Sequence, residues 1–345
     1  MKKSGVNLYL FLLVFMGGSL LSVSSSDWIG VWFGLEINLF AVIPFFSGMG
    51  LSTETEAVVK YYITQSIGSM ILLFGSILMC FECGSFFVGA WGLLNWVLVA
   101  GLMLKMGLVP FHFWIPSVMG GLSWAGCVVL SIWQKLVPLV VLGSILSGFS
   151  SSVVVLMGGL GSLVGGVGGF LQTQLRVLLG YSSIGHSGWV IVGSLCNPMS
   201  GVSYFLLYSL LVSLLFFLLG YLDFSSFSRL GGGFSVSSVS AFTCLSLCMV
   251  SLAGMPPTIG FSMKWSVFLG MLPGLYMVLA MLVLGSLMSL YYYLCVIFSW
   301  CIIFFSAISG NTYLLSVGAG RWTLGVSLFV VFGLGSFFLV SGLCI

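Results

Sequence analysis

The sequence predicts an all-α polytopic membrane protein of about 11 transmembrane helices, built as two inverted five-helix repeats with broken helices 4 and 9. Three observations lead there. Of 345 residues, 60% are hydrophobic and only 4% charged, and mean hydropathy is +1.26. Apolar runs of 18 or more residues recur from end to end, each long enough to cross a hydrocarbon core of about 30 Å. Two of these runs, five apart in order, are interrupted by proline and glycine beside a lysine.

Eleven spans are expected near 5–24, 28–46, 57–80, 93–117, 123–147, 152–170, 176–195, 200–221, 238–268, 274–305 and 323–344. They form a single membrane domain over 1–345: repeat one over 5–147, repeat two over 152–305, and an extra C-terminal helix over 323–344. The first run follows Lys2 and Lys3 as a signal peptide would. It has no small-residue cleavage site before polar mature sequence, so it is taken as span 1.

Lys/Arg placement tests the span count. Lys2, Lys3, Lys60, Arg176, Arg229 and Arg321 all fall on the N-terminal face, whereas the opposite loops hold only Asp27 and Glu82. A wrong count would scramble this bias, and the positive-inside rule then puts the N-terminus on the cytoplasmic or matrix side. The C-terminus, after eleven spans, lies opposite.

Span 4 carries Lys105, Pro110, His112 and Pro116 at depths where lipid-spanning sequence belongs. A lysine at mid-bilayer depth costs roughly 2.5–3.5 kcal/mol on insertion scales, so it faces protein or water and marks an ion path. Pro110 removes a backbone donor and clashes with the carbonyl of Met106, predicting a break just after the lysine. Span 9 repeats the pattern with Pro256, Pro257 and Lys264. Gly/Pro-interrupted helices at matching positions of two halves point to an ion site in secondary transporters. An odd offset inverts the second copy and makes Lys105 and Lys264 equivalent.

Two further ionisable groups fit no loop: Lys135 in span 5 and Glu36 midway along span 2. Low-dielectric surroundings penalise the charged form of such groups, which is how they come to exchange protons near neutral pH. Two roles suit Glu36, a member of a relay or a salt bridge that only pins two helices, and the latter adds little stability. His112 and His186, in spans 4 and 7, either extend a relay by holding water or are hydrogen-bonded helix contacts. Gly161, Gly165 and Gly169 in span 6 read as packing positions. Asp223 and Arg229 flank a Ser-rich loop and read as solvated.

Several classes are excluded. A net charge of +3 from nine basic and six acidic residues is too sparse for nucleic acid. Neither a dinucleotide fingerprint nor a P-loop occurs. The nine cysteines include one C-x-x-C, Cys80 and Cys83, without the second ligand pair a metal needs, and read as apolar fillers.

Seven or so segments in order, from Gly34-Leu-Glu-Ile-Asn-Leu through Lys60-Tyr-Tyr-Ile-Thr-Gln-Ser and Lys105-Met-Gly-Leu-Val-Pro to Leu252-Ala-Gly-Met-Pro-Pro-Thr, resemble the subunit 2 family of respiratory complex I NADH dehydrogenases. Trp133-Gln-Lys-Leu-Val-Pro, Gln172-Thr-Gln-Leu-Arg and Tyr181-Ser-Ser-Ile-Gly-His add to it, and the last 80 residues carry little signal. The resemblance implies an antiporter-like, proton-translocating subunit of the membrane arm, multi-pass in the mitochondrial inner membrane. It implies Glu36 paired with Lys105, and protons passing through Lys135 to Lys264. No cofactor is expected in this chain; FMN, iron–sulfur clusters and ubiquinone belong to other subunits. Neighbouring antiporter-like chains, small membrane subunits and lipids are the implied partners, with no soluble substrate bound directly. A stand-alone or Mrp-type cation/proton antiporter, and a scaffold with vestigial charges, are the competing readings.

Overall fold

A computed structural model describes residues 5–48, 51–82, 91–146, 152–221, 236–256, 258–271 and 275–310. Every element of regular structure among them is helical: α1 (Gly5–Ser24), α2 (Trp28–Phe46), α3 (Ser52–Glu82), α4 (Trp91–Met106), α5 (Trp114–Gly121), α6 (Trp124–Val128), α7 (Gln134–Leu146), α8 (Ser152–Phe170), α9 (Leu175–Cys196), α10 (Pro198–Tyr221), α11 (Val236–Ala253), α12 (Ile259–Gly270) and α13 (Tyr276–Gly310). Helix is the natural outcome, because a spanning segment must satisfy its backbone groups internally where water is absent. Six helical segments among the described residues are long and apolar enough to cross a membrane. The expected eleventh span, Lys2, Lys3, Cys83, Asp223, Arg229 and Arg321 lie outside the described residues.

The helices correspond to expected spans 1 to 10 once α4 with α5 is read as span 4, α6 with α7 as span 5 and α11 with α12 as span 9. Span 5 is also irregular. Between α6 and α7, Val129–Trp133 form a π-helical turn, and Pro138 lies inside α7. Lys135 therefore lies two residues past a wider turn of the kind that recurs at functional sites.

The chain divides into two compact units, 1–151 and 152–345. In the first, α1 packs on α2, and α3 lies against α2, α4 and α5. Its core includes Phe46, Tyr61, Leu102, Met106 and Ile115. In the second, α8 is wedged between α9 and α13, while α10 covers α9, α11 and α12.

The glycine row of α8 explains that wedge. A Cβ on Gly165 would stand 2.6 Å from both the amide nitrogen of Gly185 and the carbonyl oxygen of Tyr181. One on Gly169 would meet the Tyr292 ring at 2.7 Å. Backbone on α9 has nowhere to retreat, so Gly165→Leu should cost at least the ~1–3 kcal/mol of an overpacked core. The amount of folded protein recovered from the membrane is expected to fall strongly; an undiminished level would mean that α8 and α9 tolerate separation.

Candidate functional site

Both helix breaks share one backbone device. α4 ends at Met106, and Gly107 adopts φ +70°; its amide donates to the Leu104 carbonyl (3.1 Å) and that of Leu108 to Met103 (2.9 Å). At the end of α11, Gly254 has φ +83°, with Gly254 N–H on Ser251 O (3.0 Å) and Met255 N–H on Val250 O (3.4 Å). Each is a Schellman motif, in which a left-handed residue turns the chain and two end carbonyls are satisfied. Sequence reasoning expected Pro110 to break span 4; Gly107 does so three residues earlier, and the prolines follow a helix already ended. L residues with a side chain disfavour this conformation, so glycine is favoured at both corners.

A Schellman motif leaves carbonyls at the very end of the helix unpaired, and the two units satisfy them differently. In the first, Gln65 Nε2 donates to the Lys105 carbonyl at 3.4 Å, while Trp114 Nε1 reaches across the break as a second donor to Leu104 O, already paired with Gly107 N–H, at 3.1 Å. In the second, Lys264 Nζ donates to Ala253 O at 2.7 Å. Its ammonium thus sits on the C-terminal end of α11, where the helix dipole favours a cation.

The sequence-predicted lysines are held inside protein: Lys105 is 4% exposed and Lys135 3%, and Lys264 is partly buried. Lys105 and Lys264 are nevertheless not equivalent. Lys105 stands two residues before its corner glycine, on the incoming half-helix, and Lys264 ten residues after, on the outgoing one. Both approach the break, from opposite sides.

Glu36 lies close enough to Lys105 and the buried Tyr61 to act on both through its charge, yet it makes no contact ion pair with the lysine; Lys60 and Glu56 do form such a pair, on the surface of α3. The Glu36 carboxylate instead borders a groove of about 230 Å³ between α2 and α3, with Trp32, Tyr62, Ser66 and Ser69. His112 lies in the corner between α4 and α5. Its Nδ1 is 3.2 Å from the Pro110 carbonyl, which can only accept, so Nδ1 carries the hydrogen. Its ring rests on Phe113, and the structure brings it into contact with neither Lys105 nor Glu36.

In the second unit, His186 and Lys264 line one small cavity, together with Ser162, Ser182, Ser289 and Tyr292. At about 10 Å³ it suits a single water molecule with several polar partners. His186 Nδ1 lies 2.8 Å from the Tyr204 hydroxyl, and the Tyr208 ring is 4.9 Å from the imidazole. The glycines that let α8 approach α9 bring Ser162 to this cavity, where its hydroxyl also donates to Met281 O at 3.0 Å. Sequence reasoning did not find Tyr204, Tyr208, Gln65 or the buried Glu54 (4% exposed). The first two carried a signal of sorts, an i, i+4 pair of phenols in an otherwise apolar helix.

Chemically, the described ionisable groups can take up, hold and release protons inside apolar protein. No cluster of three metal-ligating side chains occurs among the described residues. Residues 25–289 match the family model described as NADH:quinone oxidoreductase/Mrp antiporter, TM. NADH-ubiquinone oxidoreductase chain 2 of Lumbricus terrestris is 38% identical over 81% of this chain and 83% of its own length. That of Anopheles gambiae is 34% identical over 99% of this chain and 98% of its own.

The chain belongs to the NADH-ubiquinone oxidoreductase chain 2 family. The fold agrees: respiratory complex I from Thermus thermophilus superposes with a TM-score of 0.78 at 24% identity, over 99% of this chain and 79% of the matched one. An Mrp complex from Dietzia sp. gives 0.74 at 20% identity, over 84% and 59%.

Proposed function

We propose that this chain 2 family member is a proton-translocating, antiporter-like subunit of the membrane arm of NADH:ubiquinone oxidoreductase. It has no redox centre of its own. Electron transfer takes place in other subunits that carry FMN, iron–sulfur clusters and ubiquinone, and its partners are neighbouring membrane-arm chains and lipid. Its place is the mitochondrial inner membrane, with the N-terminus towards the matrix and the C-terminus towards the intermembrane space, following the Lys/Arg bias.

One observation carries this reading: both glycine-ended helices present carbonyl ends to a neighbouring polar side chain deep in apolar sequence, and a lysine stands at each. Non-helical backbone at membrane depth is tolerated where it is buried in protein or lines a water-filled cavity. Glu36 senses charge at the outer groove and acts through its field on Lys105. Lys135 follows in the first unit, and the proton path ends at His186 and Lys264 in the second. The two five-helix repeats, with the chain after residue 305 as an addition, are the framework for that path.

The test neutralises Lys105, Lys135 and Lys264 together, each by methionine, in the assembled complex reconstituted into vesicles. Proton translocation per electron pair is expected to drop, and quinone reduction to slow with it through coupling. Native stoichiometry would make the chain a scaffold. A second reading, a cation/proton antiporter, draws on the shared family model and the Mrp likeness. Sodium flux through the purified chain, without NADH or other subunits, would favour it.

A further inference from the structure

His186 is fixed from the side opposite the sequence motif that carries it. Tyr204 and Tyr208 stand one turn apart on α10 and are 0% and 3% exposed. The Tyr204 hydroxyl meets Nδ1 at 2.8 Å, and the Tyr208 ring lies against the imidazole with planes 34° apart. Trp189, three residues after His186 on α9, stacks its indole parallel to the Tyr204 ring, 6° between planes at 6.4 Å. A buried phenol needs a partner for its hydroxyl, and here that partner is a ring nitrogen.

A hydroxyl can donate to a bare Nδ1 or accept from Nδ1–H, whereas a carbonyl can only accept. The contrast with His112, whose Nδ1 faces the Pro110 carbonyl, is informative. There the neutral ring is locked in one tautomer. At His186 the partner serves either tautomer and the imidazolium, and a histidine's reactive nitrogen is set by the hydrogen bond its other nitrogen makes.

We infer that Tyr204 is the positioning residue of His186: its hydroxyl engages Nδ1 in every protonation state and so confines proton exchange with the Lys264 cavity to Nε2. Trp189 holds the Tyr204 ring in the plane this requires. Titratable groups facing the imidazole or its cavity from neighbouring helices include Tyr204 and Tyr208 on α10, Lys264 on α12 and Tyr292 on α13. This inference rests on the proposed function, in that His186 passes protons, and names how it is oriented to do so.

The experiment compares Tyr204→Phe, His186→Gln and the double variant in the assembled complex in vesicles, following proton translocation rate and its pH profile. Phenylalanine keeps the ring that packs on Trp189 and removes only the hydroxyl. Tyr204→Phe is expected to slow pumping roughly tenfold, within the ~10²-fold that a misplacement of about 1 Å can cost a reacting group. The pH profile should shift, the quinone KM should stay unchanged, and the effect should vanish in the His186→Gln background, since coupled residues are not additive. A native rate and profile in Tyr204→Phe, with His186→Gln impaired, overturns the positioning role and leaves the relay standing. Native pumping in His186→Gln overturns the relay reading and this inference with it. Should Tyr204→Phe not assemble, Trp189→Leu replaces it: a shifted pH profile supports the inference, and a native one overturns it.

Discussion

Lys105→Met alone should lower proton-coupled quinone reduction by at least about tenfold, while the complex assembles at native levels. Positioned proton-transfer groups contribute about 10²–10⁴-fold, so tenfold is a lower bound for removing one of several in series. Assembly should survive because Lys105 makes no contact ion pair. Breaking a buried pair strands its partner and is strongly destabilising, whereas an apolar side chain of similar length in apolar surroundings is commonly neutral or better. The backbone role at this position, accepting from Gln65, is also kept by methionine. Rates and proton/electron ratios in vesicles, normalised to assembled complex, give the check. Glu36→Gln should do less than Lys105→Met, since the carboxylate acts through its field and not by contact. Equal pumping by Lys105→Met and the native complex would take Lys105 off the path.

How far the sequence revealed this site depends on which physical rule governs each residue. Chain-wide hydropathy set the helices, because lipid imposes one solution on every span. Lys105 and Lys135 stood out because a charge at that depth has few reasons to exist. Pro110 and Pro256 marked the breaks, yet the turning is done by Gly107 and Gly254, whose positive φ is invisible in a composition so rich in glycine.

Contacts across helices were beyond reach. In helices apolar all round, periodicity does not say which face meets protein, so nothing in the sequence pointed Tyr204 at His186 or Gln65 at the Lys105 carbonyl. The equivalence of Lys105 and Lys264 failed for a related reason. Spacing from a proline locates a break but not the half-helix that bears the charge. Lys264 reaches back to the carbonyl of Ala253, and in the other unit the corresponding donor is a side chain of α3.

That difference yields a contrast between the two corner glycines. Gly107→Ala should block assembly, whereas Gly254→Ala should permit assembly and impair pumping. Left-handed geometry costs an L residue about 1–2 kcal/mol at either corner, so the neighbours decide the outcome. At Gly107 a new Cβ meets Ile115 at its Cγ1 (2.6 Å) and Trp114 at 3.3 Å. Ile115 is fully buried and Trp114 is tied to Leu104 O, so neither yields; strain and overpacking together come to roughly 2–5 kcal/mol. At Gly254 the Cβ meets the Lys264 side chain, with Nζ at 2.8 Å. A lysine side chain can swing away, but in doing so the ammonium leaves Ala253 O and the cavity beside His186. Native gels should therefore show the first complex depleted and the second present, and the second should translocate protons several-fold more slowly, an effect expected of a displaced proton carrier. If the Gly254→Ala complex pumps at the native rate, the seat of Lys264 on the end of α11 has no part in moving protons.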